Sequence, residues 1–345
     1  MRASFEIAET KVKPGTQQLI DLPVAKLPNH TPVTLPVQVL HGRRDGPTLF
    51  VSAGIHGDEI VGVEVIRRLL NTRGLSALKG TLLCVPMVNI FGFLSQSRYL
   101  PDGRDLNRVF PGNKNGSLAG QLAHLLMSEI VSRSDFGIDL HTGANNRTNL
   151  PQLRGDFEKS NLRELAEVFG APVVLQSTLR EGSLRKAARD LKVEVLLYEA
   201  GEALRLDELC VRIGVKGILH VMQHTGMLKA TGAHKPKQSP VFARSSSWVR
   251  ASEGGIFRAQ KALGDSVKKG DTLGVVNDPY ENNEFPVVSD FAGVIIGRTN
   301  IAVVNRADAL FHIARIAKPA TAENRIEEIS DEIGGDPIFD EDDIV

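Results

Sequence analysis

Leu49-Phe50-Val51-Ser52-Ala53-Gly54-Ile55-His56-Gly57-Asp58-Glu59, running on through Ile60 to Leu70, decides the fold class of this chain. An apolar run ends at a glycine. The segment after it carries Ile60, Val63, Ile66 and Leu70 on one face, which reads as a buried strand feeding an amphipathic helix. The pattern recurs along the chain. Residues 33–40, 48–53, 81–88, 136–140, 173–176 and 193–198 read as strands, and residues 59–70, 121–131, 160–169, 183–191 and 206–225 as helices. Strands alternating with crossover helices imply an α/β fold, a mostly parallel or mixed sheet with helices on both faces.

This α/β domain is expected over residues 31–231, after an extended, Pro-rich and polar lead-in at 1–30. Gly232-Ala233-His234-Lys235-Pro236-Lys237-Gln238-Ser239-Pro240 breaks the pattern and marks a linker at 232–245. Residues 246–317 then read as short strands with turn signals, a small β domain. Its Leu263-Gly264-Asp265-Ser266-Val267-Lys268-Lys269-Gly270-Asp271-Thr272-Leu273-Gly274 resembles the barrel of lipoyl and biotinyl carrier domains. The carrier lysine is missing, because 278–286 contains no Lys, so the carrier function does not transfer with the fold. Residues 318–345 are acidic and read as a solvated tail.

With 41 basic and 41 acidic residues the chain has no global field to attract nucleic acid or an anionic membrane. Preference for a charged substrate must be local to a pocket. The two cysteines, Cys84 and Cys210, lie in apolar patterns and read as reduced core thiols. Met1-Arg2-Ala3-Ser4-Phe5-Glu6 lacks the apolar stretch of a signal peptide and no run reaches membrane-span length, so the expected address is the cytoplasm. A homo-oligomer is compatible with the sequence.

His56 and Glu59, three apart where the helix begins, can aim at one point, and His141 in Asp139-Leu140-His141-Thr142-Gly143 ends another apolar run. Two imidazoles and a carboxylate suit one catalytic Zn2+ per chain with an open position. Strand ends that meet at one sheet edge can assemble such a set from distant positions. Glu199, in Leu197-Tyr198-Glu199-Ala200-Gly201, also ends a strand-like run and is placed to act as general base. Asp139 is either a partner of His141 behind the metal or an ordinary polar strand residue. Ser97-Arg98-Tyr99-Leu100-Pro101-Asp102-Gly103-Arg104-Asp105-Leu106-Asn107-Arg108 reads as an anion-recognition loop. His220 and His224 lack an intervening Glu, while His41, His124, His234 and His312 have no companions. All six read as ordinary histidines.

His-Gly-Asp-Glu (56–59), Asp-Leu-Asn-Arg (105–108), Asp-Leu-His-Thr-Gly (139–143) and Glu-Ala-Gly (199–201) stand in an order that resembles the succinylglutamate desuccinylase/aspartoacylase family, itself similar to zinc carboxypeptidases. The resemblance runs over about residues 45–230, and the C-terminal β domain also fits that architecture. It implies His56, Glu59 and His141 as zinc ligands, Glu199 as base, and Asn107 and Arg108 as the pair that holds a substrate carboxylate. It also implies Arg98 as the residue polarising the scissile carbonyl; extra residues around 101–104 leave Arg104 as the alternative. Arg185 is a further candidate anion contact. The expected activity is hydrolysis of a small N-acyl amino acid or similar amide. The other readings are a zinc carboxypeptidase or amidase on peptides or cell-wall fragments, and a non-catalytic binding protein of the same fold.

Overall fold

The strand Arg44–Ala53 lies between Lys79–Val85 and Phe136–Gly143, parallel to both, with Leu49 opposite Phe136 and Ala53 opposite Leu140. Its alternate residues enter different cores. Leu49, Val51 and Ala53 join the apolar cluster of helices Val61–Leu70 and Glu208–His224, while Phe50 joins that of helices Leu118–Glu129 and Leu184–Asp190. A strand buried on both faces needs no polar alternation, which is why this run reads as continuously apolar. Gly62 in the first helix allows close approach, since a Cβ there would come within 2.6 Å of the Leu140 Cβ.

These relations come from a computed structural model that describes residues 2–144, 146–158, 162–229 and 238–334. Among them one mixed sheet runs in the order Ser246–Arg250, Ala309–Ala314, Gly293–Thr299, Arg147–Gly155, Glu194–Glu202, Phe136–Gly143, Arg44–Ala53, Lys79–Val85, Pro32–His41, Thr16–Lys26. Glu194–Glu202, Phe136–Gly143, Arg44–Ala53 and Lys79–Val85 pair in parallel, and the strands flanking them on either side pair antiparallel. No helix among the described residues is long and apolar enough to cross a membrane.

Three sequence expectations change. The lead-in is partly built into the sheet: Phe5–Ile7 and Thr10–Val12 form a hairpin, and Thr16–Lys26 pairs with Pro32–His41 along its length. The acidic tail begins as a helix, Pro319–Gly334, whose Ala322, Ile326, Ile329 and Ile333 are buried. That spacing is an amphipathic stripe, and it packs on the sheet and on Glu208–His224. Residues 335–345, like most of the expected linker, lie outside the described residues.

The C-terminal strands do not close into a barrel among the described residues. Gly255–Ala259, Thr272–Asn277, Glu284–Val288 and Val303–Val304 form a four-stranded sheet, whereas Ser246–Arg250, Gly293–Thr299 and Ala309–Ala314 extend the main sheet. Phe257, Leu273 and Val276 from the small sheet share a core with Val249, Ile295 and Phe311 from the large one. The expected separate β domain therefore shares hydrogen bonds with the α/β sheet through Gly293–Thr299 and Arg147–Gly155.

Candidate metal centre

His56 sits in the turn that follows the strand Arg44–Ala53. Gly54 takes φ +63°, a left-handed conformation that favours glycine. Gly57 presses on the backbone of Gly92, where a Cβ would meet the carbonyl carbon at 2.0 Å. The turn closes with the Glu59 amide donating to the His56 carbonyl at 3.1 Å. His141 arrives from the neighbouring strand Phe136–Gly143, buried along its whole length.

Glu59 joins the two imidazoles. Its Oε1 lies 2.8 Å from His56 Nδ1, and its Oε2 lies 2.7 Å from His141 Nδ1. One potential ligand atom from each of the three residues falls within 4.8 Å of the other two, and all three side chains are buried. The outward nitrogens are held as well. His56 Nε2 meets Asp105 Oδ1 at 3.1 Å, and His141 Nε2 meets Asp139 Oδ2 at 2.8 Å. Ser52 Oγ then donates to Asp139 Oδ1 at 2.7 Å. The carboxylate behind each imidazole would accept the Nε2 proton and leave Nδ1 free for a metal, an arrangement common among metal-binding histidines.

Charge points the same way. Burial works against ionising both histidines, yet Glu59 with Asp105 raises the His56 pKa, and Asp139 with Glu59 raises that of His141 well above its usual value. Burial likewise opposes ionisation of Glu59, but the charges and hydrogen bonds of both histidines hold it well below the carboxylate range. Glu59, Asp105 and Asp139 set three carboxylates around the two imidazoles, and Arg98 bonds to two of them. An N,N,O donor set of that charge fits a zinc ion.

Arg98 donates to Glu59 Oε1 at 3.3 Å and to Asp105 Oδ2 at 3.0 Å. Arg104 turns away and pairs with Asp102 at 2.9 Å on the surface. The Asp105 side chain accepts the Asn107 amide, and Asn107 Oδ1 accepts the Leu184 amide at 3.0 Å. Arg108 is exposed, lines the cavity and donates to the Asn107 carbonyl at 2.7 Å. Arg185 donates to Ser177 Oγ at 3.1 Å and has no carboxylate at ion-pair distance among the described residues. Burial lowers its pKa, opposed chiefly by Glu199.

Glu199 stands opposite His141 in the parallel ladder of Glu194–Glu202 and Phe136–Gly143, so the two side chains share a sheet face. Asn149 Nδ2 donates to its Oε2 at 2.9 Å, and Arg154 Nη2 lies 3.3 Å from the same oxygen. His56, Glu59, His141, Arg98, Asn107, Arg108, Arg185 and Glu199 all line one cavity of about 610 Å³. Seven arginines face it (Arg98, Arg108, Arg147, Arg154, Arg180, Arg185 and Arg244), against the carboxylates of Glu59, Asp139 and Glu199. A chain of zero net charge thus concentrates positive charge at one place.

Sequence reading missed Asn149, Arg154 and the C-terminal wall of this cavity, and it placed His312 among the ordinary histidines. His312 lines the cavity and stacks on Trp248 at 4.6 Å and 6°, with Nε2 at 2.8 Å from Ser246 Oγ. Only strand pairing brings these residues together, although the Asp105 contact to His56 could have been sought inside its own motif. His41 is held by Thr81 and the Ala3 carbonyl, and His224 pairs with Glu164 at 3.2 Å. His234 lies outside the described residues.

Burial, aided by the charge of Arg154, pushes the His312 pKa down to about 3. In the unfolded chain the imidazole titrates near 6.5, so below that pH the unfolded state binds the extra proton. The resulting stability is fully present above pH 6.5 and is lost progressively as pH falls toward 3. Between pH 7.5 and 5 the expected loss from this group is about 2 kcal/mol. Urea unfolding at the two pH values should show His312→Gln losing less stability than the wild type; equal losses would remove His312 as the cause.

Three comparisons relate the chain to known proteins. Residues 45–225, just over half the chain, match the sequence model of the succinylglutamate desuccinylase/aspartoacylase catalytic domain. The N-alpha-acetyl-L-2,4-diaminobutyric acid deacetylase of Halomonas elongata is 28% identical over 300 residues, 83% of this chain and 87% of that protein. A succinylglutamate desuccinylase/aspartoacylase structure from Rhodobacter sphaeroides superposes with TM-score 0.76 at 26% identity, covering 86% of this chain and 95% of that one. The product-bound ectoine utilization protein EutE (DoeB) of Ruegeria pomeroyi shares the fold at TM-score 0.78 and 22% identity, over 87% and 95% of the two chains. The chain belongs to the succinylglutamate desuccinylase/aspartoacylase family.

Proposed function

We propose that this protein is a zinc-dependent amidohydrolase that removes the acyl group from a small N-acyl amino acid, with one Zn2+ held by His56, Glu59 and His141. The observation that carries the reading is the inward-facing pair of Nδ1 atoms on Glu59, each imidazole backed by its own carboxylate, with Glu199 on the adjacent strand. Zinc bound there supplies Lewis acidity, which acidifies water and offsets negative charge on a carbonyl oxygen.

The remaining work falls to side chains. Glu199 takes the proton of the attacking water and returns it to the departing amine, the role of a general acid–base carboxylate. Arg98, anchored by Asp105, polarises the scissile carbonyl. Asn107, Arg108 and Arg185 hold the carboxylate of the amino-acid portion, a bidentate task suited to guanidinium groups. Trp248, Ser246 and His312 wall the cavity from the C-terminal strands and favour a compact substrate over a peptide chain.

Zinc content and a substrate panel test the proposal. Purified protein should carry about one zinc per chain, as a three-ligand catalytic site requires. It should release amine from N-acetyl amino acids, with the panel including N-acetyl-aspartate and N-alpha-acetyl-2,4-diaminobutyrate to compare anionic and cationic side chains. Preferential cleavage of long peptides with free C-termini would replace this reading with the carboxypeptidase one.

A further inference from the structure

We infer that Asn149 is a positioning residue for Glu199 and is itself set by Gly297 of the C-terminal strands, an inference that rests on Glu199 being the base. The reason begins with an irregularity. Glu199 pairs with Gln152 and Gly201 with Asn149, so two steps along Glu194–Glu202 match three along Arg147–Gly155. One extra residue therefore sits in Arg147–Gly155, a β-bulge. Pro151 lies inside it, at a position where the missing N–H costs a central strand least. The bulge reverses the side-chain alternation, and so brings Asn149 to the face on which Glu199 stands.

Asn149 is 7% exposed, and its Nδ2 donates to Glu199 Oε2 at 2.9 Å. Arg154 approaches the same oxygen at 3.3 Å. Both contacts fall on Oε2, and Oε1 makes no hydrogen bond among the described residues. The two contacts thus hold one carboxylate oxygen in place and leave the other for proton transfer. Asn149 is fixed in its turn from the other side, where it pairs with Gly297. A Cβ at Gly297 would lie 3.0 Å from Asn149 Oδ1 and 3.1 Å from the His312 Cβ, so glycine leaves the space that the carboxamide occupies. The Asn149 side chain makes no hydrogen bond to His56 or His141 among the described residues; its hydrogen bond goes to Glu199.

The test is steady-state kinetics on the N-acetyl amino acid that the wild type hydrolyses fastest. Asn149→Ala should lower kcat by about 10- to 100-fold, since small misplacements of a reacting group cost that much. KM should stay within about twofold, because a residue that acts by orienting the base contributes to the transition state rather than to substrate binding. Zinc content should be unchanged. Gly297→Ala, which only nudges the carboxamide, should lower kcat by about fivefold in the wild type and not at all in the Asn149→Ala background. Wild-type kcat in Asn149→Ala, a loss confined to KM, or a Gly297→Ala loss that adds in full to that of Asn149→Ala would each overturn the inference. A Glu199→Gln enzyme that remains active overturns instead the base assignment beneath it.

Discussion

With Glu199 as the proposed base, Glu199→Gln should lower kcat by about 10³-fold, within the range expected for losing a general acid–base group. The substitution is nearly isosteric, and the Gln carbonyl can still accept from Asn149, so the fold and the cavity should survive. What disappears is the capacity to take a proton from water and deliver it to a leaving amine. Zinc content, KM and melting temperature should remain near those of the wild type, because Glu199 is not among the inward-facing ligand atoms. A variant retaining more than about a tenth of wild-type kcat would show that another group handles the proton. Glu202 is no substitute, since its carboxylate is buried and accepts from Thr148 and Asn300.

His141→Ala should empty the metal centre and reduce activity by at least about 10³-fold, because a three-ligand site loses a third of its donors. The effect should extend to the fold. Glu59 and Asp139 both direct a carboxylate oxygen at His141, and both are almost completely buried. Removing the imidazole takes one partner from each of two desolvated carboxylates, leaving Glu59 to His56, Arg98 and the Thr142 amide and Asp139 to Ser52, a change that should cost on the order of 1–3 kcal/mol. Chelator-stripped wild type should gain thermal stability when zinc is restored, by about 4 kcal/mol at a thousandfold excess over Kd. The variant should show no such gain. Stoichiometric zinc in His141→Ala would remove His141 from the ligand set.

Much of the centre could be read in the chain because it stands at the ends of apolar runs. His56 and His141 each lie just beyond, or at the end of, a strand whose burial on both faces writes an unbroken apolar signature. Glu59 is tied to His56 by a three-residue spacing that reads as helical, although both stand in the turn before the helix Val61–Leu70. Residues on the other side of the cavity carry no comparable signal. Arg147–Gly155 contains a proline and a bulge, so its pattern is neither period two nor continuously apolar. Trp248 and His312 become neighbours only because Ser246–Arg250 and Ala309–Ala314 pair, and nothing local announces that register. The Pro319–Gly334 helix was obscured differently: its many carboxylates dominate the composition, while four small or branched apolar residues supply the packing. Composition averages away a stripe that periodicity retains.

The pairing of Gly297 with Asn149 also constrains how the chain can be made. Synthesis delivers the proposed metal ligands and Glu199 well before Gly293–Thr299, the strand that covers residues 147–149. Residues 152–155 pair with Val173–Gln176, so until that strand arrives only the first residues of Arg147–Gly155 leave N–H and C=O groups unpaired beside the cavity, a short edge open to another chain. Closing it requires a contact of very long sequence separation, among the slowest steps in folding. The same late strand that shields the edge also seats the side chain that orients Glu199, so productive geometry and protection from aggregation are acquired together, at the end of folding.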